Sequence, residues 1–157
     1  MTPSDATEQN AILSVLRECF YGAGDKGAFL DPGPNGLFAL LKNLSAQEAS
    51  LPVAGASIAT HALHVAFSLD VFAQWIQGVR GVTYDWNTSW EKNEVSETEW
   101  NELLCKMEGQ CLDLEQAIMQ QAASDVEAMW GAAGALAHTA YHLGIIQVKI
   151  DALHKVE

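Results

Sequence analysis

His138 and His142 stand four positions apart in the segment HTAYHLG, and on a helix that spacing puts two imidazoles on one face, about 5–6 Å apart at Cβ. Neutral imidazole is a good ligand for divalent ions such as zinc. Two such groups form half a metal site, whose remaining positions are free for water or substrate. His61 and His64 lie in a second helix-like stretch, SIATHALHVAFSLDVF. A three-nitrogen site therefore needs only that these two helices pack side by side. Ala133, Ala135, Ala137, Ala140 and Gly144 surround the later pair; side chains this small let a neighbouring helix approach and leave room for an ion.

The same positions exclude some familiar metal chemistry. An HExxH metalloprotease needs Glu directly after the first His as general base, and here Thr139 occupies that place. Bundle di-iron sites use Glu-x-x-His, yet the residues three before His61, His64, His138 and His142 are Ile58, His61, Ala135 and Thr139. His154 follows Asp151 near the end of the sequence and reads as an exposed histidine. Cys19, Cys105 and Cys111 lack CxxC spacing and fall among apolar neighbours, so they read as reduced thiols in or near a core. Tyr141, Asp70 and Trp86 are candidates for the rim of a pocket.

Four long amphipathic segments must position these groups. The first is expected from Thr7 to Tyr21, with Ile12, Leu13, Leu16, Cys19 and Phe20 at helical spacing, and is stopped by Gly22, Gly24 and Gly27. FLDPGPNG reads as a loop and GLFALLKNL as a short helix, and Ser45-x-x-Glu48 has capping-box spacing before a helix kept brief by Pro52. The second long helix starts with Ser57 as N-cap and ends at Gly78, its stripe being Ile58, Ala62, Val65, Leu69, Phe72 and Ile76. His61 lies close to that stripe and His64 at its edge. The stretch from Gly78 to Val95 reads as a crossover loop whose Tyr84, Trp86 and Trp90 need burial, and which could wall a pocket. Ser96 with Glu99 opens the third helix, expected to end near Gln121, while Ser124 or Asp125 caps the fourth. The fourth carries Met129, Ala133, Leu136, Ala140, Leu143, Ile146, Val148 and Ile150. No alternating strand pattern or repeat competes with an all-α reading.

At 157 residues the chain fits a single domain, spanning 1–157, that can bury about two-thirds of its unfolded surface. Although 49% of it is hydrophobic, no apolar run approaches the roughly 18–20 residues of a membrane span. MTPSDATEQN shows no basic stretch leading into an apolar block, so no signal peptide and a cytoplasmic location are expected. The net charge of −12, with only 8 scattered bases, offers no basic face for phosphates and argues against a nucleic-acid partner.

In order and spacing, DPGPNGLFALLKNLSAQEAS, HALHVAFSLDVFAQWIQG, WNTSW and HTAYHLGIIQ resemble a bacterial branch of the DinB/YfiT-like metal-binding four-helix bundles. The likeness spans nearly the whole chain. It implies a four-helix bundle with a long crossover between helices 2 and 3, and His64, His138 and His142 as ligands of a zinc, nickel or iron ion. His61, one turn before His64, is the alternative second-helix ligand. Many members carry Gln just after the Gly, whereas this chain has Ile145 there and Gln147 further on. The resemblance further implies a homodimer and a small-molecule substrate, the ion activating water or a low-molecular-weight thiol for hydrolase or S-transferase chemistry.

Overall fold

Asn10 is extended and its side chain accepts the Leu13 N–H at 3.0 Å, so the first helix begins at Ala11. The computed structural model describes residues 10–121 and 125–155. The expected start at Thr7 and the alternative cap Ser124 lie outside them. Within the described residues every regular element is helical: α1 (Ala11–Tyr21), α2 (Leu37–Lys42), α3 (Ala46–Ala49), α4 (Ile58–Ile76), a 3-10 turn (Thr88–Trp90), α5 (Glu97–Gln121) and α6 (Val126–His154). None of these helices is long and apolar enough to cross a membrane.

Local chemistry sets the boundaries. Ser57 accepts the Thr60 N–H at 3.1 Å to start α4, and Gly78 takes a positive φ of 90° just beyond its end. Ser45 and Glu48 close a capping box on the short α3, Ser96 and Glu99 do the same for α5, and Asp125 caps α6 through the Glu127 N–H.

Helix α4 packs along both α5 and α6, while α1 packs along α6. The core between them holds Leu13, Leu16 and Phe20 from α1, Ile58 and Leu69 from α4, and Met107, Leu114 and Ile118 from α5, all fully buried. Each such side chain contributes about 1.5–3 kcal/mol of transfer free energy. Helix α6 meets α4 through small residues. A Cβ at Gly131 would stand 2.6 Å from Trp75 Cδ1, and one at Gly134 3.1 Å from the Phe72 ring. These glycines set the close approach that brings the histidine-bearing faces together.

Several expected positions differ. On α6, Leu143, Ile146 and Ile150 are buried, but Met129, Ala133 and Val148 face outward, while Thr139 and Lys149 point inward. The Lys149 ammonium donates to the carbonyls of Val53 and Ala54, the latter residue being held at a φ of 48°. Trp86 and Trp90 remain 36% and 37% exposed, because they cover the histidines as an outer wall instead of entering the core. Cys19 and Cys111 are buried as expected, but Cys105 sits on the outer face of α5 and is exposed.

Candidate metal centre

Helices α4 and α6 run antiparallel at their contact, since His61 meets His142, His64 meets His138, and Trp75 reaches back to Glu127. Each early histidine thus faces one of the later pair. One ring nitrogen from each of His64, His138 and His142 falls within 4.8 Å of the others, an arrangement that could hold a metal ion. His64 Nε2 and His138 Nε2 are 3.0 Å apart, close to the roughly 3.0–3.4 Å between two nitrogens bound to one ion at about 2.1 Å.

Burial sets the protonation state. His64 and His142 are 4% and 3% exposed, and His138 is half-buried beside them. Loss of solvent, helped by the charge of neighbouring imidazoles, lowers His64 to about 4 and His142 to about 3, and burial lowers His138 as well. At neutral pH the three rings carry lone pairs rather than positive charge, the form in which imidazole ligates. Among the described residues no carboxylate joins this group. The donor set suits a divalent ion that accepts nitrogen ligands and keeps other positions open.

His61, the alternative second-helix ligand, lies beside this group and outside the three-residue set. Its Nδ1 lies 3.1 Å from His142 Nδ1, a contact that helps fix the angle of the His142 ring. Burial, then the nearby Lys149 charge, lowers His61 to about 4.

The crossover segment is stitched over the histidines from both ends. Tyr84 O–H donates to Gln74 Oε1 at 2.8 Å, Thr60 O–H to the Lys92 carbonyl at 2.9 Å, and Ser57 O–H to the Asn93 carbonyl at 2.6 Å. Between these ties, Trp90 stacks on His64 with ring centroids 4.0 Å apart and meets His61 edge-on at 5.2 Å. Trp86 packs against Phe67 and His64 at 5.1 and 5.7 Å. Ser89 Oγ comes within 2.7 Å of His64 Nδ1. Neither this contact nor the stacking of Trp90 on His64 is part of the sequence-based site. Asp85 and Thr88 do mark a capped turn in the sequence, but only the long-range ties say which helix face that turn covers.

Other candidates fall at different distances from the centre. The Tyr141 ring meets His142 edge-on at 5.1 Å but is 66% exposed, and Trp86 lies 6.1 Å from the His138 ring. Both are rim positions. Asp70 is not: six residues beyond His64 it has turned about 120° around the helix, and it lines a separate hollow with Gln74, Gln77 and Asp113. Gln147 donates to Asp151, and His154 is exposed as expected. Burial raises Cys19 to about 11 and Cys111 to about 12, leaving both thiols protonated and unreactive.

Comparison with protein-family models, curated proteins and solved structures found no match to this chain.

Proposed function

We propose that this chain is a metal-dependent enzyme of the DinB/YfiT-like four-helix-bundle kind. His64, His138 and His142 hold a divalent ion, zinc, nickel or iron, for hydrolase or S-transferase chemistry on a small molecule. The observation that carries the reading is the convergence of three imidazoles from two helices, each kept neutral by burial. When bound, such an ion supplies Lewis acidity that lowers the pKa of water or a low-molecular-weight thiol towards neutrality.

The chain's own groups supply the rest. His61 orients His142, while Trp86 and Trp90 limit water access to His64. Phe72, whose ring lies 5.7 Å from that of His138, also lines a cavity of about 460 Å³ with Val71, Trp75, Trp130 and Ala137. That volume and apolar lining suit an uncharged portion of a small substrate.

The test is elemental analysis of untagged protein. Stoichiometric metal is expected in the wild type and none in His138→Ala/His142→Ala; equal metal in both would reject the centre. A second reading, a non-catalytic ion or ligand site, is favoured by the lack of a carboxylate base in the group among the described residues. Turnover assays with activated esters and with low-molecular-weight thiols separate the two. Metal without turnover in either supports the second.

A further inference from the structure

The proton positions around Ser89 can be assigned from its two contacts. Its Oγ lies 2.6 Å from the Trp86 carbonyl oxygen and 2.7 Å from His64 Nδ1. A serine hydroxyl has one proton to give, and a carbonyl oxygen can only accept. Were that proton turned towards His64, two oxygen lone pairs would face each other at 2.6 Å with nothing between them. The hydroxyl therefore donates to Trp86, and His64 Nδ1–H donates to Ser89 Oγ. The remaining lone pair of His64 is then on Nε2, the atom facing His138 Nε2 at 3.0 Å.

The turn that carries Ser89 is itself held in place. Asp85 accepts from the Asn87 and Thr88 N–H groups at 3.1 and 3.4 Å and from the Thr88 hydroxyl at 2.8 Å, and Trp90 N–H closes onto the Asn87 carbonyl at 3.0 Å.

We infer that Ser89 is a positioning residue of the metal centre: by accepting the Nδ1 proton it fixes the His64 tautomer and ring angle, and aims Nε2 at the ion. Hydrogen-bond partners behind metal-ligating histidines commonly act in this way. His61 Nδ1 meets His142 Nδ1, whereas His138 Nδ1 is buried with no hydrogen-bond partner among the described residues. The inference rests on the metal-centre reading, so its test has one arm without metal.

In metal-free protein, imidazole ¹⁵N shifts distinguish the two neutral tautomers. Wild-type His64 is expected as Nδ1–H, and Ser89→Ala should shift it towards Nε2–H. In the second arm, cobalt(II) affinity is measured by competition with a chelator. Ser89→Ala should bind about 10–100-fold more weakly, and Ser89→Thr, which keeps the hydroxyl, should restore binding. Nε2–H in the wild type, or unchanged cobalt affinity in Ser89→Ala, overturns the assignment. Absence of cobalt binding in the wild type sinks the metal reading instead and leaves the tautomer arm to decide. If Ser89→Ala does not fold, the wild-type spectrum and that of Ser89→Thr settle it.

Discussion

Four imidazoles gathered in one desolvated cluster make the chain sensitive to acid. Burial lowers His61 and His64 from 6.5 to about 4 and His142 to about 3, so the folded state holds them neutral while the unfolded chain takes up protons below pH 6.5. Between pH 6.5 and 4 the unfolded state binds more protons, and stability falls as pH falls. A tenfold difference in proton affinity between the two states corresponds to about 1.4 kcal/mol. Thermal unfolding of metal-free protein should therefore show a midpoint that is level above pH 6.5 and drops steadily towards pH 4. His64→Leu should flatten that slope, and a midpoint independent of pH across the window would contradict the neutral cluster. A second residue-scale prediction concerns Glu18, 8% exposed, whose carboxylate accepts the N–H groups of Ala28, Phe29 and Leu30. Burial would raise its pKa, but those three donors together hold it below the usual carboxylate range. Glu18→Ala leaves the donors unpaired and should cost about 2–3 kcal/mol in urea unfolding.

Among the elements, α6 shows most clearly what a linear reading can and cannot see. Its histidine pair is legible from i, i+4 spacing alone, and the caps Ser45, Ser57 and Ser96, with Asp125 as one of two candidates, are legible because each acts on backbone groups a few residues away. The inward face of α6 is not. Nearly every turn of this helix offers apolar or small residues, so hydrophobic spacing does not separate the outward Met129 and Val148 from the inward Ala132 and Ala135. Ser89 was hidden for another reason: its partner lies 25 positions earlier, and their meeting depends on how Tyr84, Lys92 and Asn93 anchor the crossover to α4. The close α4–α6 approach yields a direct test. Gly131→Val forces Trp75 aside and should cost about 1–3 kcal/mol in denaturant unfolding. Because it also separates the helices that carry His64 and His138, cobalt(II) affinity should fall with it.

For the molecule as a whole, the proposed ligand set joins residues 74 positions apart, so it exists only once α4 and α6 have docked. An ion that binds the folded chain alone then stabilises it by mass action, by about 2.7 kcal/mol at a free concentration 100 times its dissociation constant. The expected result is a melting temperature that climbs with added zinc in the wild type and stays flat in His138→Ala/His142→Ala; parallel shifts in both would place the ion elsewhere. Trp90, lying flat over His64 with centroids 4.0 Å apart, turns the centre into its own optical probe. An open-shell ion such as copper(II) or nickel(II) held by His64 should quench the indole's fluorescence, whereas closed-shell zinc should leave it bright, so metal exchange can be followed without a label.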